Sequence, residues 1–418
     1  MKALLRKTLK IYVDSYSGHP KEIWAIGIFT FINRLGTMVL PFLTVYLNTI
    51  KGFTLKEAGF LLTAFGIGSL GGTFLGGKLS DKIGPNPVMI ASLFFSGICL
   101  IILQFAETFN QFFFLILLTA LLGDAYRPAM SAAVGIHVPK NETGRSMSFI
   151  RIAINLGWSA AAGIGGFIAV SLGYNWLFWI DGSTCILSAI YFFIVSSSWK
   201  PVPIDSIDSN PKQKSLPEKS RPPYQDKTFL LYLFASFLMG VGFIQWFHTI
   251  PLFIKTDWGF DERYIGMMMT LNGILIVLLE MPLVDQIEKA QKLKVSLLGG
   301  MALLGISFFP FLLPASLYFF CLATLFFTFG EIFFFPFNNS LPINMSPESR
   351  RGEYMSWYWM SWSACSIIGP SIGLSFIDEF GYDAFWIFII SLMLLSWLIK
   401  RQITPGIIAK HSTEKAVT

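Results

Sequence analysis

Long apolar runs separated by short polar turns set the organisation of this chain, and their length is nearly constant. A bilayer core about 30 Å thick takes roughly 20 helical residues. By that ruler the first half holds spans near 24–48, 57–78, 87–106, 111–135, 147–171 and 175–198. The second half holds spans near 228–254, 263–284, 293–313, 315–340, 353–377 and 383–400. The expected fold is an all-α membrane protein of twelve transmembrane helices. Gly and Pro mark the turns, as in Gly84-Pro85-Asn86-Pro87 and Gly173-Tyr174. The start, Met1 to Lys10, is basic but runs into a polar segment, so the first apolar run reads as a true span and not a signal peptide.

The polar stretch between spans six and seven is different in kind. Trp199 to Lys227 carries Pro201, Pro203, Pro211, Pro217, Pro222 and Pro223 among Ser and Lys. That composition predicts a linker without a core of its own. The expected domains are therefore a first six-helix bundle (1–198), a linker (199–227) and a second six-helix bundle with a tail (228–418).

The two halves repeat one another. An offset of 208 residues pairs Pro139, Gly144, Met147 and Ser148 with Pro347, Gly352, Met355 and Ser356. It also pairs Gly165 with Gly373 and Gly173-Tyr174 with Gly381-Tyr382. An offset of 207 fits the first two spans, pairing Gly52-Phe53 and Gly59 with Gly259-Phe260 and Gly266. Self-similarity over half a chain is the mark of a duplicated fold. Two apolar halves in the same order predict a pair of pseudo-symmetric bundles that transport between them.

Composition agrees with the pattern. Hydrophobic residues make up 54%, charged residues 13%, and Phe alone occurs 42 times; mean hydropathy is +0.60. Soluble domains carry roughly 25% charged residues. Cys99, Cys185, Cys321 and Cys365 all fall in apolar runs without the spacing of a metal site or disulfide scaffold. The net charge of +6 is not arranged in a basic stripe with interleaved aromatics, so no nucleic-acid partner is expected. Its placement instead predicts topology. Lys and Arg crowd the N-terminus, the linker, alternate loops and the C-terminal end (four residues there), while the opposite loops hold only Lys51, Lys56, Lys255 and Arg263. The positive-inside bias puts both termini and the linker in the cytoplasm.

One loop is specific. Between spans two and three stands Gly77-Lys-Leu-Ser-Asp81-Lys82-Ile-Gly84. Gly77 would allow close helix approach, Asp81 would accept from a neighbouring helix end or a basic group, and Gly84 would permit a tight turn. This loop resembles the G-x-L-x-D-R/K-x-G motif of the major facilitator superfamily, and the resemblance covers essentially the whole chain. It implies a secondary transporter of two six-helix bundles in a plasma (bacterial inner) membrane, monomeric, with Gly77, Asp81, Lys82 and Gly84 as a gating latch. Gly330-Glu331 through Pro336, with Pro347, Gly352 and Tyr354-Met355, is similar to bacterial drug/proton antiporters. Gly18-His19-Pro20-Lys21, Arg34 and Tyr46-Leu47 are similar to proton-coupled peptide transporters, but the E-x-x-E-R motif of those importers reads Thr30-Phe-Ile-Asn33-Arg34 here. The G-P-x-x-G-G bend of antiporter span five reads Ala161-Ala162-Gly163-Ile164-Gly165-Gly166 here, so its Gly-Pro is lost, and a Gly-Pro stands instead in span eleven at Gly369-Pro370.

Ionisable residues inside a bilayer cost about 2.5–3.5 kcal/mol or more and mark function by default. Arg34, Asp124, Arg127 and Glu331 fall in spans one, four and ten, which the resemblance implies line a central cavity. Asp124 and Glu331 are the expected proton carriers. Arg34, Arg127, Asn33, Gln245, Trp246 and Asn338 are the expected substrate contacts. Static alternatives stay open: Asp124 with Arg127 as a self-neutralising pair, Glu331 as a helix-to-helix hydrogen bond, and the neutral amides as helix glue. Asp181 and His248 read more readily as interhelical partners than as carriers. No H-E-x-x-H, G-x-S-x-G or phosphate-loop pattern occurs, so no enzyme activity, metal or cofactor is expected. The expected partners are a small organic substrate, protons and the lipid bilayer. Efflux of drug-like amphiphiles is the first expectation, and proton-coupled uptake of peptides or related nutrients the second.

Overall fold

A computed structural model gives the structure of the protein over residues 18–138, 143–199, 222–347 and 350–417. Most of the expected linker, residues 200–221, lies outside the described residues. All regular structure within them is helical: α1 (Lys21–Gly36), α2 (Val39–Val45, continuing as a π turn over Tyr46–Ile50), α3 (Leu55–Ile83), α4 (Pro85–Leu103), α5 (Phe109–Asp124), α6 (Tyr126–His137), α7 (Thr143–Ser171), α8 (Asn175–Ser196), α9 (Lys227–Thr256), α10 (Glu262–Lys289), α11 (Leu293–Ile306), α12 (Leu317–Asn338), α13 (Leu341–Met345) and α14 (Arg351–Val417).

Among the described residues eleven stretches are long and apolar enough to cross a membrane, against the twelve expected. The difference lies in the last one, Glu353–Pro405, whose 53 residues run spans eleven and twelve together. A helix of that length would reach about 80 Å, well over twice the hydrocarbon thickness. The run is broken at Gly381, whose φ of 77° is non-helical. Gly173, its counterpart one repeat earlier, also has positive φ, at 93°. Only glycine takes that conformation without strain, which explains why the Gly-Tyr pair recurs at both turns.

Proline sets the other interruptions. A proline ring clashes with the carbonyl four residues before it and cannot donate to it. Pro41 acts on Thr37, where α1 gives way to α2; Pro128 acts on Asp124, the last residue of α5. Pro310 and Pro342 act in the same way on Ile306 and Asn338, the last residues of α11 and α12. Spans one and four are therefore each made of two helices.

The chain forms two compact units. The first comprises Met1–Lys51, Ala64–Ser209 and Asp261–Val277; the second comprises Gly52–Thr63, Asn210–Phe260 and Leu278–Thr418. The first turns of α3 and α10 thus belong to a different unit from the rest of each helix. Matching contacts hold them there. In the second unit Thr63 Oγ1 donates to the Ile367 carbonyl at 2.7 Å. In the first, Thr270 Oγ1 donates to the Ser159 carbonyl at 2.7 Å. Thr63 and Thr270 are counterparts at the 207 offset, and Ser159 and Ile367 at the 208 offset. One contact has been duplicated along with the fold.

Within the first unit α3 lies close to α5. A Cβ at Gly68, Gly72 or Gly76 would overlap the carbonyl oxygens of Leu117, Leu121 and Ala125 respectively. Spaced by four, these glycines form one face along which two backbones meet. Gly77, expected to allow such an approach, has open space around it. It sits one residue further round the helix, on a different face. Asp81 and Lys82 are exposed, and Gly84 takes φ 84° at the turn into α4.

Candidate functional site

The two proline breaks place the charged residues of the first unit. Arg34 lies in the last turn of α1, just before the Thr37–Met38 break; Asp124 ends α5, and Tyr126 and Arg127 open α6. Where a span is interrupted, its polar groups need partners from neighbouring helices, and such backbone is tolerated only against protein or a cavity. Both conditions are met. Arg34 Nη2 donates to the Tyr126 hydroxyl at 2.7 Å, and its guanidinium stands 5.3 Å from that ring's centre. Asp124 Oδ1 pairs with Arg127 Nε at 2.8 Å, and its other oxygen accepts from the Ser69 hydroxyl of α3. The Arg127 side chain is 56% exposed, so one member of the pair reaches outward while the other is buried.

These groups line a cavity of about 740 Å³, counting space open to solvent, inside the first unit. Its polar lining includes Asn33, Arg34, Thr37, Asp124, Arg127 and Asp181, and its walls are Leu40, Leu43, Phe65, Leu93, Leu100 and Ile116, among others. Four of the expected site residues, Asn33, Arg34, Asp124 and Arg127, are thus brought together. Asp181 joins them, although the sequence reads it more readily as an interhelical partner. Its Oδ2 accepts the Val39 N–H at the start of α2, at 3.3 Å. Its Oδ1 receives the Cys185 thiol at 3.8 Å, and Asn33 Nδ2 donates to that sulfur at 3.3 Å. Pro41 signals the break in span one, and the N–H available to a carboxylate from span six is that of Val39, which opens α2.

The remaining expected residues lie in the second unit, and none of them lines this cavity. Gln245 is fully buried: its amide donates to the Val241 and Gly369 carbonyls at 2.9 and 3.0 Å and accepts from Thr249. Trp246 stacks on Phe327 with ring centres 4.1 Å apart, and its Nε1 donates to Ser307. Asn338 is also fully buried. These three fasten helices to one another, the static alternative for neutral groups of this kind. Glu331 is half-buried on α12.

Asn338 belongs to a second polar cluster. Lys400 Nζ donates to its Oδ1 at 2.5 Å, Tyr232 donates to its carbonyl at 2.9 Å, and its amide donates to the Tyr358 hydroxyl at 2.9 Å. The Lys400 ammonium lies over the rings of Tyr232 and Phe334, at 4.6 and 4.7 Å. Lys400 counts among the basic residues of the C-terminal end in the sequence, yet it is fully buried. The reason is that α14 continues past it, so it lies within a span and not beyond one. Among the described residues, no three His, Cys, Asp or Glu side chains converge as metal ligands would.

Comparison with known proteins agrees with this architecture. The family profile described as Major Facilitator Superfamily matches residues 26–289 and 247–412. The chain is 26% identical to the uncharacterized MFS-type transporter YttB of Bacillus subtilis (strain 168), over 90% of this chain and 94% of that one. It is 26% identical to multidrug resistance protein MdtH of Blochmanniella pennsylvanica (strain BPEN), over 83% of this chain and 82% of the relative. Among solved structures, a POT family transporter in complex with 5-aminolevulinic acid superposes with a TM-score of 0.75, at 15% identity, over 94% of this chain and 98% of that chain.

Proposed function

The chain belongs to the Major Facilitator Superfamily, and from that premise we propose that it exports drug-like amphiphilic molecules in exchange for protons. The observation that carries the reading is the charged, apolar-walled cavity of the first unit. Leu, Ile and Phe walls favour the hydrophobic body of an amphiphile. Asp124, held by Arg127 and Ser69, supplies a negative charge for a cationic head or a proton. A proton or an organic cation at Asp124 weakens its hold on Arg127, which already reaches outward. Competition between the two for one carboxylate is the simplest basis for exchange. Glu331 is the second proton carrier in this reading. The similarity to a multidrug resistance protein supports the direction. Both termini and the linker lie on the cytoplasmic side, in a bacterial inner membrane, and the transporter works as a monomer.

A second reading has its own support. Arg34 and Arg127 together offer guanidinium groups to a substrate carboxylate, as a zwitterionic peptide or related nutrient would require. Uptake of such a substrate would move protons inward with it. Flux into proteoliposomes under an imposed pH gradient separates the two, since exchange dissipates the gradient against substrate movement and symport dissipates it with substrate. Asp124→Asn is expected to reduce gradient-driven flux to the level of empty vesicles while substrate binding persists. Full gradient-driven flux in both Asp124→Asn and Glu331→Gln would sink the proton assignment.

A further inference from the structure

Span one is hinged at Thr37–Met38, and the hinge is held by a carboxylate from span six. We infer that Asp181 is a positioning residue whose protonation releases the α2 half of span one. The inference rests on the reading that protons enter the first-unit cavity.

The geometry has three parts. First, the hinge is real backbone discontinuity: α1 ends at Gly36, α2 begins at Val39, and the two residues between them have non-helical or boundary conformations. Pro41 prevents the helix from healing across the gap, because residue 41 cannot donate to Thr37. Second, α1 is pinned independently. A Cβ at Gly36 would overlap the Thr184 side chain, so α1 and α8 already touch at that point. The part whose first N–H depends on Asp181 is α2. Third, the first N–H of α2, on Val39, is bound by Asp181 Oδ2, and Asp181 also lines the cavity. One carboxylate thus faces both the hinge and the space a proton would enter.

The charges around Asp181 come from several helices. Arg34 faces it from α1, while Asp124, Tyr126 and Arg127 line the same cavity from α5 and α6; on its own helix stands Cys185. From α4 come Ser96, Leu93, Leu100 and Leu103, none of them ionisable, and α7 adds no side chain to the lining. Arg34 is committed to the Tyr126 hydroxyl and Arg127 to Asp124. The groups that hold Asp181 directly are thus two backbone N–H groups, of Val39 and Met38, and a thiol, and among the described residues no basic side chain shares it through a hydrogen bond. A proton from cavity water adds to one carboxylate oxygen and leaves a neutral acid. The bond from Val39 then loses its ionic component.

Charge-assisted bonds are roughly twice as strong as neutral ones, so the α2 amides should lose about fivefold to tenfold in protection when Asp181 is neutral. The test is hydrogen exchange of the full-length protein in nanodiscs, following a peptide over residues 37–43 from mildly alkaline to mildly acidic pH, with intrinsic rates divided out. Wild type should show the loss as pH falls. Asp181→Asn should show low, pH-independent protection there, Asp181→Glu should restore the pH dependence, and a peptide over residues 23–33 in α1 should not respond. Asp124→Asn should keep the response, which separates this inference from the transport reading. If flux proves not to be proton-coupled while the response persists, the transport reading fails and the hinge stands. A wild-type peptide that is flat with pH, or an Asp181→Asn variant that keeps the wild-type response, overturns the inference. Should Asp181→Asn fail to fold, the wild-type series and Asp181→Glu still decide it.

Discussion

The two units share a fold by duplication but have exchanged their chemistry. At the 208-residue offset, Asp124 and Asp181 fall on Ile332 and Ile389; at the 207 offset of the first spans, Arg34 falls on Val241. All three counterparts are buried and apolar. The second unit is therefore apolar at the positions where the first carries charge. The reverse holds as well. Asn338, Tyr358 and Lys400 fall on Met130, Ile150 and Phe192, which belong to the hydrophobic core of the first unit. Each unit has one polar interior and one apolar interior, in opposite places. The difference teaches that duplication preserves the helix frame, including the Thr63 and Thr270 contacts, because backbone packing cannot be changed piecemeal. Side chains filling that frame are free to diverge, and Arg34 and Asp124 settle beside proline breaks that have already opened their spans.

If the first unit holds the working charges and the second a structural knot, substitutions in the two places should fail in different ways. The largest effect is expected on flux, from Asp124→Asn, with little change in melting temperature. Arg127 keeps solvent contact, and the Ser69 hydroxyl can still bond an amide oxygen, so only about 1 kcal/mol of folding stability is at stake. Asn338→Leu should do the opposite. It strips Lys400 of its one oxygen acceptor among the described residues and leaves a buried ammonium unpaired, at a cost of about 3 kcal/mol, while Tyr232 keeps the backbone carbonyl at 338 and Tyr358 keeps Asn339. Thermal unfolding in detergent, read beside transport, checks both. If Asn338→Leu melts like wild type but loses transport, the knot is a working site and the contrast fails.

How much of this was written in the sequence depends on the length scale. Spans, repeat and turns were legible because burial in a bilayer demands roughly 20 apolar residues at a time, and because Gly173 and Gly381 must take positive φ. The clustering of Arg34, Asp124 and Arg127 was legible too, from the rarity of charge in these spans. Direction around a helix was not. Gly76 and Gly77 differ by one residue, yet only Gly76 meets another backbone; a run of glycines does not say which face is used. Lys400 misled for a related reason, since a basic residue at the end of an apolar run looks like a loop until the helix is seen to continue. Gln245 and Trp246 carry polar atoms on a span expected to face a cavity, but which side of α9 they occupy depends on neighbours 60 or more residues away, as with Ser307 and Gly369.

A smaller test uses the duplicated glycines. A Cβ on Gly165 would come within 3.2 Å of Met38 Cβ and the Phe42 ring, beside the hinge, so these neighbours need give only a few tenths of an ångström. The counterpart on Gly373 would press on the Gln245 amide, which is already engaged with α14 and with its own helix. Alanine gains about 0.5–1 kcal/mol over glycine inside a helix. Gly165→Ala should therefore melt close to wild type, while Gly373→Ala should lose about 1–2 kcal/mol as the amide is displaced. Equal melting temperatures would mean that the two interiors are equally compliant.

Lys400→Met should have the least effect of all, and the reason bears on what the knot is for. A buried ammonium gives up its hydration and regains here one hydrogen bond and two aromatic faces, with no carboxylate among the described residues to balance it. Methionine has similar length, carries no desolvation cost and keeps favourable contact with the rings of Tyr232 and Phe334. Replacing buried ionic groups by apolar ones of similar volume is often neutral, or stabilising by about 1–4 kcal/mol. Asn338 loses one of its donors but keeps Tyr232 and Tyr358. The expected melting temperature is equal to or above that of wild type, with transport retained. A large loss of stability would show that the ammonium organises the cluster, so that the second unit depends on its buried charge no less than the first.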